Sequence, residues 1–221
     1  MNTILGEKIG NIAVFNVDGT IAPTHSCTEF LLRTYGPVKY GSALFRAAKK
    51  HGFKMKSRDR IKLDLLSNII KGEHADRFYK MAEKYSHLLQ KKIDHRAAAK
   101  MHWHKKMGHQ VILVSASLQA ILSPLAKRLA LDGVFSVELE EKGPILTGEV
   151  KNNVNMTGTE KVNAIFRFLG TKRIDRDNVN IWVYGDSWGD LKMLKMADHP
   201  YFVNLKRDPW IRDFREMRKN Q

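Results

Sequence analysis

The sequence predicts an α/β fold: a Rossmann-like parallel sheet core with helices on both faces, plus an all-helical subdomain inserted after the first strand. Three observations carry this. Short runs rich in β-branched and aromatic residues, Ile12–Val17, Val111–Ser115 and Val179–Tyr184, each end in small or polar residues. Helical patterns alternate with these runs, which implies parallel strands covered on both sides. Residues 25 to 95 have no strand pattern and are too long for a single crossover helix.

The elements follow in order. Ile12–Val17 is a buried strand ending in a Gly-Thr turn. Side chains two apart in a strand point the same way. Asn16 and Asp18 therefore sit together near the carboxyl end, where open α/β sheets bind ligands. The insertion reads as helices Thr28–Thr34, Val38–Lys50, Arg58–Ile70 and Ala75–Gln90, punctuated by Gly36-Pro37, Gly52 and Gly72. His102-Trp103-His104-Lys105-Lys106 reads as a surface helix, because histidines two apart do not share a helix face and make no metal pair. After the second strand come a helix over Leu118–Leu129 and a hairpin over Glu138–Val150, marked by Gly143-Pro144 and Thr147-Gly148. Helices Thr159–Leu169 and Leu191–Ala197 flank the third strand, and Tyr201–Asn204 is a weaker fourth strand. Residues 1–24 and 96–221 thus form the expected core, and 25–95 a helical cap.

Charge points to an anionic partner. The net charge is +15 and the pI about 9.9. Residues 25–95 hold 16 Lys or Arg against 7 Asp or Glu, so most of the surplus lies in the insertion. Within Val38–Lys56, the apolar Leu44, Phe45, Phe53 and Met55 interleave with Lys39, Arg46, Lys49, Lys50, Lys54 and Lys56. A basic stretch with apolar anchors can lie on an acidic membrane; equally, the apolar residues can pack the cap under solvated lysines. No zinc spacing, RNA-binding signature or helix-turn-helix pattern is present, so specific nucleic-acid binding is not expected. Cys27 is the only cysteine, which precludes an internal disulfide and fits a reducing, cytoplasmic compartment, with the basic cap able to bring the protein to the inner membrane surface. Met1–Gly10 has no basic-then-apolar signal pattern. The longest apolar stretch, Val111–Ala126, is broken by serines, Gln119 and Pro124 and does not read as a span.

Chemistry-bearing residues follow each strand. Asn16 and Asp18 follow the first. Ser115 follows the second; its hydroxyl and the backbone N–H of Ala116 and beyond, at a helix start, would form a phosphate site. Lys161 lies on the first turn of a helix, where the dipole disfavours a cation unless it serves an anion. Asp186 and Asp190 bracket a tight turn suited to a hard cation such as Mg²⁺. Phosphoryl transfer needs a nucleophile, a proton donor, a cation and donors to the equatorial oxygens. Each residue alone has an ordinary explanation as a turn, a helix cap or a solvated charge. Their joint occurrence, one set after each strand, is far more specific.

Four motifs carry a resemblance: Asn16-Val17-Asp18-Gly19-Thr20, Ser115 after its apolar strand, Gly158-Thr159-Glu160-Lys161, and Gly185-Asp186-Ser187-Trp188-Gly189-Asp190 followed by Met193-Leu194. Together they resemble a haloacid dehalogenase superfamily phosphatase, of the subgroup related to phosphoserine phosphatase; Thr147-Gly148 suits the same subgroup. The family has Asp where this chain has Asn16. The resemblance implies that residue 16 attacks phosphorus to form an aspartyl-phosphate, which water then hydrolyses. It implies that Asp18 protonates the leaving group and later helps activate water. Ser115 and Lys161 would hold the phosphoryl group, lined by Ala116, Gly19 and Thr20. Residue 16, Asp186 and the Asp18 carbonyl would bind Mg²⁺, with Asp190 in support, and the cap would close over the site.

An amide is nearly isosteric with a carboxylate, so Asn16 is expected to fit and to offer an oxygen to Mg²⁺, but not to attack phosphorus. Asp18, Ser115, Lys161, Asp186 and Asp190 are all present, which favours an inactivated Asp-to-Asn form of a working phosphomonoester hydrolase. The alternative is a natural pseudophosphatase that binds phosphorylated ligands or acidic membranes without turnover. Phosphoserine itself is disfavoured as substrate. The acidic residue that should hold its ammonium has only Glu29 as a counterpart, which comes late and reads as an exposed helical residue. A small or lipid-linked anionic phosphate ester fits the basic cap better.

Overall fold

The computed structural model describes residues 10–51 and 58–219. The reading of Met1–Gly10, and Phe53, Lys54, Met55 and Lys56, fall outside these residues apart from Gly10 itself. Strand β1 (Gly10–Phe15) lies at the centre of a mostly parallel sheet because Ile12, Ala13, Val14 and Phe15 are all buried. It pairs in parallel with β2 (Gln110–Leu118) on one side and β6 (Val179–Gly185) on the other. β3 (Gly133–Val137) extends the sheet beyond β2, and β7 (His199–Val203) beyond β6, both in parallel. β8 (Ile211–Asp213) closes the edge antiparallel to β7, giving the order β3-β2-β1-β6-β7-β8. The chain steps outward from β1 to β2 and β3, then crosses back to β6 and continues to β7. The winding reverses between β1 and β6, and it is at the carboxyl ends beside such a reversal that open α/β sheets bind ligands.

After a tight turn, the segment between β1 and β2 holds four described helices: α1 (Ser26–His51), α2 (Arg58–Ile70), α3 (Ala75–Lys91) and α4 (His95–Lys106). α1 breaks at Gly36, whose φ of 79° precedes Pro37. A positive φ suits glycine, and the following proline cannot continue the helical hydrogen bonding. α3 buries Ala75, Phe78, Ala82, Tyr85 and Leu89 at three- and four-residue spacing, one face of a helix. That face meets α1 through the edge-on pair Phe30–Phe78 (5.4 Å). α3 also meets α5 (Gln119–Arg128), where Arg128 donates to Ser86 Oγ at 2.7 Å and Gln90 Oε1 at 2.8 Å. The hairpin of β4 (Leu139–Lys142) and β5 (Ile145–Val150) packs under α2. Gly148 fits there because a Cβ would stand 2.9 Å from that of Lys71. α6 (Thr159–Lys172), α7 (Leu191–Met196) and α8 (Phe214–Lys219) complete the fold.

Two expectations need correction. The second strand does not stop at Ser115. β2 runs on through Ala116 and Ser117 to Leu118, with a register shift against β3, and α5 starts only at Gln119. Ser115 and Ala116 are therefore on an extended strand end, not at a helix start. The helix over His102–Lys106 is not wholly a surface element either: His104 is fully buried. Its Nδ1 lies 2.8 Å from His109 Nδ1 and its Nε2 2.9 Å from the Tyr184 hydroxyl. His109 packs in turn against Trp182, which stacks on His199 at 4.2 Å.

Burial holds His104 down to about 3, with His109, Lys100 and His199 adding positive charge around it; burial also lowers His109. His104 is neutral when folded and protonates more readily when unfolded, near pH 6.5; the lowering at His109 acts in the same direction. The contribution of His104 to stability is complete above that pH and is lost progressively as pH falls toward 3. A melting series from pH 7 to 4 should show Tm falling throughout. In His104→Gln, which can still donate and accept hydrogen bonds but cannot charge, the slope should be shallower. Equal slopes in both proteins would show that His104 is not the group responsible.

Candidate active site

The site lies at the carboxyl ends of β1, β2 and β6. Beyond β1 the chain turns tightly: the N–H groups of Thr20 and Ile21 donate back to the Val17 carbonyl, and that of Gly19 to the Ala22 carbonyl. Gly19 has φ +76°, and a Cβ there would lie 2.1 Å from Asp186 Oδ2, so only glycine lets the two turns approach. Beyond β6, Gly185 leads into the turn Trp188–Asp190, where Ser187 and Asp190 cap one another. A Cβ at Gly185 would overlap that of Asp190 at 2.6 Å.

These turns bring Asn16, Lys161, Asp186 and Asp190 together. Asn16 Oδ1 accepts from Lys161 Nζ at 3.0 Å. Asn16 Nδ2 donates to the Asp18 carbonyl (3.0 Å) and Asp186 Oδ1 (2.9 Å), with Asp190 Oδ2 at 3.5 Å. Asp186 Oδ1 also accepts from Thr20 Oγ1 at 2.8 Å. Burial raises the Asp186 carboxyl above the usual range; Asp190 adds to this, while Thr20, Asn16 and Lys161 oppose it. Lys161, on the first turn of α6, is 2 % exposed and pairs with Asp190 Oδ1 at 2.5 Å. Asp190 Oδ2 accepts from Asp186 N–H (3.1 Å), Ser187 N–H (3.1 Å) and Ser187 Oγ (2.8 Å). Asp190 is thus a buried orienting group with both oxygens engaged.

The side chain of Asp18 turns away from this cluster and accepts from Ser26 N–H at 2.9 Å, at the start of α1. Burial pushes its carboxyl upward against the lowering effects of Ser26, His25 and Lys62. Ser115 is buried, and its Oγ accepts from Ser117 N–H at 3.2 Å. Ser117 Oγ meets Ser26 Oγ at 2.6 Å, tying the end of β2 to the start of α1. Sequence reasoning missed Lys62. It reaches from α2 to hydrogen-bond the Ala116 carbonyl, and it lies close enough to Asp18 and Cys27 to lower both carboxyl and thiol. A lone lysine on an inserted helix gives no sequence signal for this. Burial nonetheless pushes the Cys27 thiol up to about 11, which leaves it protonated and unreactive.

Glu29 is not the exposed residue expected. It accepts from Lys92 (2.5 Å), Thr24 (2.8 Å), Arg33 (2.9 Å) and Tyr85 (3.1 Å). Burial raises its carboxyl, but these four donors outweigh burial and hold it at about 2.

Oxygens of Asp186, Asp190 and the Asp18 backbone converge as a hard divalent cation requires. The group they surround is the Asn16 amide nitrogen, a donor, so residue 16 as present does not fit a cation. The expectation that Asn16 would offer its oxygen to Mg²⁺ is corrected: that oxygen faces Lys161. Among the described residues no group of three His, Cys, Asp or Glu side chains is placed to hold a metal. No helix there is long and apolar enough to cross a membrane.

Comparison with known proteins agrees with this geometry. Phosphoserine phosphatase SerB1 of Mycobacterium tuberculosis is 31% identical over 128 residues, covering 52% of this chain and 40% of that protein. The chain thus spans well under half the length of that relative. A Bordetella pertussis Tohama I protein of unknown function superposes with a TM-score of 0.73 at 16% identity, over 96% of this chain and 95% of that one. A phospho-aspartyl intermediate analogue of phosphoserine phosphatase gives 0.59 at 19% identity, over 96% and 98%. Residues 13–195, which hold all four motifs, match the haloacid dehalogenase-like hydrolases, and the chain belongs to that family.

Proposed function

We propose that this chain is the scaffold of a phosphomonoester hydrolase whose nucleophile position is filled by Asn16, so that it binds phosphate esters with little or no turnover. The observation that carries this is the convergence of residue 16, Lys161, Asp186 and Asp190 beside a separately held Asp18. With Asp at 16, its carboxylate oxygen bonds phosphorus as the ester P–O bond breaks, and Asp18 gives its proton to the departing oxygen. Water then attacks phosphorus, the bond to residue 16 breaks, Asp18 takes the water's proton, and orthophosphate leaves. The raised Asp18 carboxyl suits a group that must start protonated. The equatorial oxygens are assigned to Lys161, with Ser115, Ala116, Gly19 and Thr20 lining them. Mg²⁺ is assigned to the Asn16→Asp form, where it would be held by oxygens of Asp186 and the Asp18 backbone; when bound, it supplies positive charge to the phosphoryl oxygens. The test is Mg²⁺-dependent hydrolysis of an aryl phosphate by Asn16→Asp, and absence of any gain would refute the hydrolase reading.

Substrate recognition falls to the helical insertion, taken as a cap over residues 25–95 that closes on the site. Lys62 beside Asp18 supports a substrate with a second anionic group. The full engagement of Glu29 argues against a free ammonium there. The second half of α1 supports contact with an anionic membrane: Val38 is 84% and Phe45 65% exposed, among exposed Lys39, Arg46 and Lys49. Such a surface gains from apolar insertion and from attraction to acidic lipid. In low salt the protein should co-sediment with phosphatidylglycerol vesicles and not with phosphatidylcholine vesicles, and Val38→Ser/Phe45→Ser should weaken this several-fold. Equal recovery with both vesicle types would rule the membrane contact out.

A further inference from the structure

We infer that in this chain the side-chain amide of Asn16 takes the place of the divalent cation, so that the acidic cluster is satisfied without metal. This rests on the proposed hydrolase site but concerns the cluster's electrostatics, not its turnover. Three oxygens face Asn16 Nδ2: the Asp18 carbonyl at 3.0 Å, Asp186 Oδ1 at 2.9 Å and Asp190 Oδ2 at 3.5 Å. Two N–H hydrogens meet acceptors where a cation would meet them. The amide cannot simply turn round to present its oxygen. Oδ1 already accepts from the buried Lys161 ammonium at 3.0 Å. After a flip, the NH₂ would face that ammonium, donor against donor, and Lys161 would lose one of its two acceptors. The other charges are also engaged: Lys161 with Asp190 Oδ1, Asp190 Oδ2 with three donors, and Asp186 Oδ1 with Thr20. Lys161, both oxygens of Asp190 and Oδ1 of Asp186 are thus engaged with no metal among them.

Replacing the NH₂ by a carboxylate oxygen reverses this. A second anionic oxygen would stand where the amide nitrogen lies, 2.9 Å from Asp186 Oδ1, with no hydrogen between them. That arrangement needs a cation or a shared proton. Two proteins differing by one near-isosteric group should therefore differ sharply in their need for metal.

The experiment compares the chain with Asn16→Asp, both stripped with EDTA and then titrated with Mg²⁺ at neutral pH. Calorimetry and thermal melting are the readouts. Asn16→Asp should melt below the parent when metal-free and gain about 5 °C or more at saturating Mg²⁺, the size expected for a ligand at a hundred times its Kd. The parent should gain under about 1 °C on the same scale. In the parent, the Asn16 NH₂ resonance, assigned by its loss in Asn16→Asp, should stay unmoved by Mg²⁺ and unbroadened by Mn²⁺. Should Asn16→Asp fold poorly, the same resonance is assigned in the parent from its NOEs to the neighbouring Asp18 and Thr20 backbone, so this readout does not depend on the variant. Mg²⁺ uptake by the parent within threefold of the variant's affinity overturns the inference, as does a Mn²⁺-broadened amide. A variant that takes up Mg²⁺ yet hydrolyses nothing sustains the inference while refuting the hydrolase reading.

Discussion

Asn16→Asp should raise Mg²⁺-dependent hydrolysis of an aryl phosphate by three or more powers of ten, at least about 4 kcal/mol of transition-state stabilisation. The parent is expected to fail for a structural reason beyond the weak nucleophilicity of an amide. Its one acceptor oxygen is held by Lys161, and its nitrogen is held by Asp18 and Asp186. Neither atom is free to approach phosphorus. A carboxylate at 16 keeps the contact with Lys161 and gains an oxygen able to bond phosphorus. Adding Asp18→Asn to Asn16→Asp supplies an internal control. Loss of the proton donor should harm alkyl phosphates more than aryl phosphates, because the poorer leaving group depends more on protonation. If both substrate types fall alike, Asp18 acts in some other way. If Asn16→Asp gains nothing on either, the natural pseudophosphatase reading replaces the hydrolase.

What the sequence made legible follows from how local each signal is. β1 and β6 are central strands buried along most of their length, so their apolar runs stand out, and the turns after them carry Asn16, Asp18, Asp186 and Asp190 within a few residues. α2 was legible to the residue, Arg58–Ile70. β3 and β8 were not. β3 holds Gly133 and Ser136 in a five-residue run, and β8 is a three-residue edge strand with alternating exposure. Neither carries a pattern distinct from a loop. The extent of β2 was hidden because Ser115, Ala116 and Ser117 look like a turn; the buried Ser26–Ser117 contact that keeps them extended is 91 residues apart in sequence. Long-range packing likewise decided His104, which β6 covers with Tyr184, 80 residues away in sequence. Lys62 is the clearest case on the functional side. Its chemistry depends on a carbonyl 54 residues away, which no spacing rule can anticipate. The direction of the Asn16 amide is of the same kind, since it is set by Lys161 and Asp186 jointly.

Lys161→Met should be the most damaging substitution for stability. Lys161 and Asp190 are both buried at 2.5 Å, and removing the ammonium leaves Asp190 Oδ1 charged with no donor. Breaking a buried pair from one side costs about 3–5 kcal/mol. For a domain of this size that lowers Tm by on the order of 10 °C. The double variant Lys161→Met/Asp190→Asn should recover much of the loss, because the orphaned charge goes with its partner. A single variant that melts within about 2 °C of the parent would show that the pair is not closed to water. Stability alone does not explain a lysine at this place, since well-packed apolar residues commonly replace a buried pair without loss. A fixed cation does have value where an anion must be met without reorganisation at the moment of reaction. Orthophosphate therefore separates the two roles. It should raise the Tm of the parent and leave that of the double variant unchanged, although the double variant lacks the buried orphan charge. Equal stabilisation of both by phosphate would make Lys161 a structural residue only.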